Sequence, residues 1–333
     1  MTRKSLADQV VVVMGASTGI GRLTALDFAK AGASVVVSAR GQESLDELTA
    51  EIRQAGGKAL AVAADTSDAE QVRAVAEAAE REFGRLDTWV QVAAVSVYAP
   101  LEAMKPDEFR RVIDVNLTGQ AFGALAALPV MRRHGGGGII AVSSVEGEIP
   151  MPYHAAYAAA KHGVNGMLDV LRLELEHEQA PISVTAVMPA SIDTPFFDHS
   201  MTRLDVAPKP PPPVYDPQRV ADAILHAAVR PKRVVIVGGS GQLMVRMHRH
   251  FPRVFQALLR RTMFRQQRTR QLKSADAPNN LMQPLDGDTR IRGQEGEGAQ
   301  DLRRRQRRQR AVAASVLGLG ALAFWRARRA ART

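Results

Sequence analysis

The hydrophobic pattern opens with Val10 to Val13, an unbroken β-branched run of the kind that fills a parallel strand buried on both faces. It leads into Met14-Gly15-Ala16-Ser17-Thr18-Gly19-Ile20-Gly21-Arg22, after which Leu23, Leu26 and Ala29 return at helical spacing. The alternation continues with a strand at Ser34 to Ser38, a helix from about Gln42 to Gln54 and a strand at Lys58 to Ala63. A helix capped by Asp68 runs through Phe83, and Leu86 to Val92 makes a fourth strand. One long helix is expected over Asp107 to Arg133, then a turn at Gly135 to Gly138 and a strand at Ile139 to Ser143. A helix opening near Tyr157, a strand at Ile182 to Val187, a helix from Pro217 to Val229 and a strand at Arg233 to Val237 complete the series. Repeated βα units predict an α/β fold: a doubly wound parallel sheet of about seven strands with helices on both faces, extended by further helices at the C-terminus. In such sheets ligands bind at the carboxyl ends of strands, and the glycine loop, Arg40, Asp65, Ser144 and Pro189 all fall there.

Two stretches carry candidate chemistry. Glycines at 15, 19 and 21 let the backbone turn tightly between a strand and a helix, so that a pyrophosphate can approach the helix N-terminus, where free N–H groups favour anions. That placement points to a dinucleotide site. At the end of the second strand the chain offers Ser38-Ala39-Arg40 and no acid. An acid there would bind a ribose 2′-hydroxyl, whereas an arginine accommodates a 2′-phosphate, so NADP(H) is favoured over NAD(H); the plainer alternative is a solvated Arg40 at a strand end.

The second stretch, Ser143 to Lys161, reads as a strand end, a Gly/Pro loop and the start of a helix. Tyr157 and Lys161 are four apart and share a helix face. An ammonium beside a phenol favours the phenolate, which makes a tyrosine usable as a general acid/base, and Ser144 sits where its hydroxyl can meet the same substrate oxygen. Tyr and Lys at this spacing are common on helices, so the pair carries weight only through its surroundings.

Composition changes the picture in two places. With no cysteine among 333 residues, disulfides and thiol catalysis are excluded, as fits a reducing compartment such as the cytoplasm, and Met1 to Gln9 shows no secretory pattern. The net charge of +10 is confined: Leu302 to Thr333 holds ten arginines and no acid, which leaves the body of the chain neutral and makes nucleic acid an unlikely partner.

The motifs together resemble those of the short-chain dehydrogenase/reductase superfamily over about residues 6 to 240. The Gly-Ala-Ser-Thr-Gly-Ile-Gly loop, the strand end at Asp65, Asn116-Leu-Thr-Gly, Ser144, Tyr157 with Lys161, and Pro189 to Thr194 occur in the family order. The resemblance implies a Rossmann-type fold, a nicotinamide cofactor and no metal. It implies that Tyr157 is the general acid/base, that Lys161 binds the nicotinamide ribose and lowers the tyrosine pKa, and that Ser144 orients the substrate oxygen. Asn116 would hold a water linking Lys161 to solvent. Cofactor contacts would come from Gly15, Ser17, Thr18, Gly19, Ile20, Gly21, Arg40, Asp65 beside the adenine, Ala93, Tyr157, Lys161, Pro189, Ile192 and Thr194. Two departures stand out. Gln91-Val92-Ala93-Ala94 replaces the usual Asn-Asn-Ala-Gly, so the lost asparagine contacts must be met otherwise, and Ala190 replaces the glycine usual after Pro189. Similar proteins are commonly dimers or tetramers, so a homo-oligomer is expected. His154 and Tyr153 lie near the site, as packing residues or as substrate contacts.

Pro195 to Tyr215, with Phe196, Phe197, Met201 and a proline-rich run, reads as a stiff, extended loop. The resemblance implies that this segment forms a lid over the substrate, and its apolar residues suggest an apolar carbonyl or secondary alcohol. The dehydrogenase domain is expected over 1–240 and basic amphipathic helices, divided at Pro252, over 241–273. An irregular linker follows over 274–300, and an arginine-rich tail with a short apolar helix over 301–333. Arg246, Arg249, Arg253, Arg260 and Arg261 interleave the apolar positions of 241–273, so these helices either lie on an anionic membrane surface or pack on the core. Ala311 to Trp325 is fifteen uncharged residues, roughly 22 Å as a helix against a hydrocarbon core of ~30 Å, so it spans a thinned bilayer, lies in the interface or docks on the protein. The expected activity is NADP(H)-dependent interconversion of a carbonyl and a secondary alcohol. The rival is a non-catalytic, membrane-attached nucleotide-binding scaffold of the same fold.

Overall fold

A computed structural model describes residues 4–285 and 287–293 of the chain. The elements follow in order as β1 (Val10–Met14), α1 (Gly19–Lys30), β2 (Ser34–Ala39), α2 (Gln42–Gln54), β3 (Lys58–Ala63), α3 (Ala69–Phe83) and β4 (Thr88–Gln91). After these come β5 (Val97–Tyr98), α4 (Pro106–Ile113), α5 (Gly119–Arg133), β6 (Gly137–Val142), α6 (Ala155–His177) and β7 (Ile182–Pro189). Next come α7 (Phe196–His199), β8 (Met201–Thr202) and β9 (Val206–Pro208), followed by α8 (Gln218–Val229), β10 (Val234–Val237), α9 (Gly239–His250), α10 (Pro252–Gln266) and β11 (Arg268–Leu272).

Seven strands form one parallel sheet in the order β10-β7-β6-β4-β1-β2-β3. Every residue of β1 is buried, which is why the strand can be apolar on both faces: one apolar cluster joins Val10, Val12 and Met14 to Trp89 and Leu168, and another joins Val11 and Val13 to Phe28, Leu48 and Ile224. The chain winds outward from β1 to β3 and then crosses to β4 on the other side of β1. That reversal opens a crevice above the carboxyl ends of β1 and β4, where ligands bind in doubly wound sheets. After β3, Asp68 caps α3, its carboxylate accepting from the amides of Glu70 and Gln71 at 3.0 and 3.1 Å.

The helix expected as one rod over Asp107 to Arg133 is interrupted. Asp114–Thr118 forms a π turn between α4 and α5, with Asn116 fully buried inside it. The Asn116 amide accepts from the Val95 N–H at 2.9 Å and donates to the Val95 carbonyl at 2.8 Å, so a polar side chain binds the strand exit and the helix widens there.

Pro252 separates α9 from α10, and the hairpin packs Val245, Phe255 and Leu259 on Val145, Ile149 and Met151. The described residues of 274–293 hold no helix or strand but are fastened to the domain by side-chain and backbone bonds described below. The arginine-rich run and Ala311 to Trp325 lie outside the described residues. Among the described residues no helix is long and apolar enough to cross a membrane.

Candidate active site

At the β1–α1 turn, Gly15 has φ +84°, and a Cβ there would lie 2.5 Å from the Ala93 nitrogen. A Cβ on Gly21 would come within 1.9 Å of the Gly15 carbonyl oxygen, so α1 reaches its neighbouring strand only because position 21 has no side chain. This closeness brings the first turn of α1 to the floor of a cavity of about 280 Å³ lined by Gly15, Ser17, Arg40, Asp65, Tyr157 and Lys161, among others. Thr18, Gly19, Ile20, Gly21, Ala93, Pro189, Ile192, Thr194 and Ser144 also line it, so the cavity wall contains every residue expected at the site except Asn116. A crevice with a helix N-terminus in its wall fits an adenine dinucleotide.

At the end beside β2 and β3, the Asp65 carboxylate accepts from the Ser67 amide and hydroxyl at 2.9 and 2.7 Å and pairs with Arg111 at 2.6 Å. Burial opposes that charge, but the Arg111 and Ser67 hydrogen bonds win and hold the Asp65 pKa below its ordinary value. Arg40 is not a freely solvated strand end. Its guanidinium donates to the carbonyl oxygens of Asn280, Met282 (3.0 Å) and Gln283 (3.3 Å), all in the irregular C-terminal stretch. Burial, followed by the neighbouring Arg111, pushes its pKa down.

At the other end, α6 presents Tyr157 and Lys161 on one face, the Nζ 5.5 Å from the ring centroid. Lys161 is buried and donates to the Val142 carbonyl at 2.9 Å; burial takes its pKa down to about 8. The expected depression of the Tyr157 pKa is not what the protein alone produces. Burial and the charge of Glu146 raise it, and a hydrogen bond with Ser144 only partly offsets them. Ser144 also accepts from the Glu146 amide at 3.1 Å, which fixes its hydroxyl at the head of the loop after β6. Asn116 contacts Val95 through both ends of its amide rather than Lys161.

The family model for short chain dehydrogenases matches residues 9–204. The chain belongs to the short-chain dehydrogenase/reductase superfamily. An uncharacterised oxidoreductase, YxnA, of Bacillus subtilis is 39% identical over 279 residues, covering 83% of this chain and 77% of the relative. A 3β-hydroxysteroid dehydrogenase of Eggerthella lenta is 42% identical over 193 residues, 57% of this chain and 73% of the relative. A solved structure of a 7α-hydroxysteroid dehydrogenase, complexed with NADH and 7-oxo glycochenodeoxycholic acid, superposes with a TM-score of 0.62 at 25% identity, covering 71% of this chain and 95% of that one. This short-chain dehydrogenase is thus an NAD(P)-dependent oxidoreductase acting on CH–OH groups of a small molecule, and the scaffold reading is not favoured.

Within this dehydrogenase both departures from the family pattern find their contacts. Gln91 accepts from the Trp89 indole at 2.9 Å and donates to the Thr66 hydroxyl at 2.6 Å, a longer side chain bridging β4 to the end of β3. The Ala190 side chain packs beside Gly238 and Gly241 at the start of α9. Sequence reasoning missed Arg111, whose partners lie 44 to 170 residues away, and the pairing of His154 with Glu146 at 2.8 Å. The His154 ring is buried, 3.9 Å from Tyr98 and 5.4 Å from Tyr157 between centroids. Tyr153, by contrast, is a packing residue set edge-on to Phe264 at 5.1 Å.

Proposed function

We propose that the enzyme interconverts an apolar secondary alcohol and its carbonyl with NADP(H), Tyr157 serving as general acid/base. The bound nicotinamide supplies the hydride acceptor or donor at the carbinol carbon. In the oxidation direction Tyr157 would take the hydroxyl proton as the C–O bond becomes a double bond and the carbinol hydrogen is lost with its electron pair to the hydride acceptor. Ser144, whose hydrogen bond with the phenol works to lower the Tyr157 pKa, would donate to the substrate oxygen, and the Lys161 ammonium would offset the phenolate charge. The raised Tyr157 pKa suits the acid role in carbonyl reduction, and the positive charge of an oxidised nicotinamide would pull it down for the reverse. Arg40 would meet a 2′-phosphate, Gly15 to Gly21 the pyrophosphate, and Ile192 with Thr194 the carboxamide. Support for an apolar substrate comes from the cavity wall, lined by Tyr98, Met151, Phe196, Phe197, Met244 and Met263, with the Phe196 ring centroid 5.7 Å from that of Tyr157.

The observation that carries the reading is the convergence of Ser144, Tyr157 and Lys161 at the end of a cavity that also holds the glycine turn. A Tyr157→Phe variant is expected to bind NADPH as the parent does while turnover of apolar ketones falls about 10²- to 10⁴-fold. Undiminished turnover would remove Tyr157 from the mechanism.

The outer face of the α9–α10 hairpin suggests where the enzyme works. Residues 241–273 carry eight arginines and one lysine and no acid. Leu243, Phe251, Val254 and Leu258 are exposed among them, Phe251 at 64%. Apolar side chains ringed by arginine fit an anionic lipid surface. The full-length protein should sediment with phosphatidylglycerol vesicles and not with phosphatidylcholine vesicles, and Phe251→Ser/Val254→Ser should weaken that binding; equal recovery with both lipids would refute it.

A further inference from the structure

The described residues between Asn280 and Gly293 meet the cofactor crevice at several places. Leu281 is 1% exposed, inserted among Val95, Val97, Val112, Val115 and Tyr157, and its carbonyl accepts from Arg111 at 3.0 Å. The neighbouring carbonyls cap Arg40. Asp288 pairs with His199 at 2.7 Å, the Thr289 hydroxyl donates to Glu47 at 3.2 Å, and Arg292 pairs with Asp216 at 3.1 Å. Between them the Arg290 carbonyl accepts from the Gly19 N–H at 2.9 Å, one of the first-turn amides of α1. Gly293 then rests so closely on Thr194 that a Cβ at 293 would lie 2.7 Å from the Thr194 oxygen. The stretch therefore touches the residues expected at the 2′-phosphate, the pyrophosphate and the carboxamide in turn. Asn280, Pro284 and Leu285 form part of the wall of the cavity beneath it.

We propose that residues 280–293 are the outer wall of the dinucleotide site, a strap beneath which the cofactor is held and which must lift for the cofactor to enter or leave. The inference rests on the nicotinamide cofactor of the proposed function. Among the described residues of the strap, Leu281 is the deeply buried apolar anchor, and the remaining bonds are largely polar and half exposed. Segments held in this way open locally without global unfolding. The strap also explains the half-buried Arg40: its carbonyls hold the guanidinium at the adenosine end.

The chain has no cysteine, which allows a clean test. In full-length Glu47→Cys/Thr289→Cys protein the two thiols are joined by a short bifunctional methanethiosulfonate, and NADPH and NADH association and release are followed by nicotinamide fluorescence in stopped flow. Both rates should fall about ten-fold or more when the strap is tied and recover on adding dithiothreitol. A second measurement needs no cofactor. Hydrogen exchange of the peptide spanning Gly15 to Arg22 should speed up in a Leu281→Asp variant while the β6 peptide stays protected, because releasing the anchor frees the Gly19 amide. Unchanged exchange kinetics of a bound cofactor in protein shown by mass to be cross-linked overturns the strap alone. Failure of the untied protein to bind either dinucleotide fells the proposed function and this inference together, and an unchanged Gly15 to Arg22 peptide in Leu281→Asp overturns the docking itself.

Discussion

Replacing Arg40 by alanine separates two interactions that the same guanidinium makes. Toward a 2′-phosphate it can form charge-assisted hydrogen bonds, and hydrogen bonds to charged groups contribute about 1.5–3 kcal/mol net. With tenfold in affinity per ~1.4 kcal/mol, Arg40→Ala should weaken NADPH binding by roughly ten- to a hundred-fold beyond any effect on NADH. Toward the strap it donates to three backbone carbonyls, at 3.0 and 3.3 Å for Met282 and Gln283 and closer still for Asn280. Loss of those bonds loosens the strap for both cofactors alike and should appear as faster release of each. The assay is fluorescence titration and stopped-flow release of NADPH and NADH on parent and variant at one ionic strength, because a phosphate contact is salt-sensitive. The ratio of the two affinity changes isolates the phosphate contribution, and the common change in release rate isolates the strap. If both affinities fall by the same factor, Arg40 is a strap anchor and not a 2′-phosphate ligand, and the preference for NADP(H) fails.

Two further substitutions probe the catalytic end and the glycine turn. Glu146 raises the Tyr157 pKa, since a carboxylate disfavours a nearby phenolate, so Glu146→Gln should lower it and shift the rising limb of the alcohol-oxidation pH profile to lower pH; an unmoved limb would refute that coupling. The same change removes a charge that raises the Lys161 pKa, so a falling limb set by Lys161 should also move down. Gly21→Ala puts a methyl group 1.9 Å from the Gly15 carbonyl oxygen and should cost about 1–3 kcal/mol in urea unfolding and abolish dinucleotide binding, whereas a parent-like midpoint would show that the turn can relax.

The parallel sheet was legible because its signal is local. Buried strands of consecutive valines, glycines at a strand–helix turn and a tyrosine four residues before a lysine are patterns written within a few positions of one another. The helix over 107–133 misled for a similar reason: its apolar spacing is helical throughout, and only the contact of Asn116 with Val95, 21 residues away, opens the π turn. Gln91 and Ala190 were seen as departures, but the side chains that accommodate them, Thr66 and the start of α9, belong to distant elements.

The sequence by itself determined the seven strands of the parallel sheet in their chain order, the glycine turn after the first of them and the membership of Ser144, Tyr157 and Lys161 in one strand–loop–helix unit. Tertiary structure alone decided the electrostatics: burial and Glu146 raise the Tyr157 pKa, and burial lowers that of Lys161, because desolvation depends on everything packed around a group. It also decided the place of residues 280–293, whose polar, glycine-containing composition reads as linker. Their hold comes from carbonyl oxygens meeting Arg40, Arg111 and Gly19, and a backbone carbonyl is the same in every residue, so no side-chain pattern can announce it.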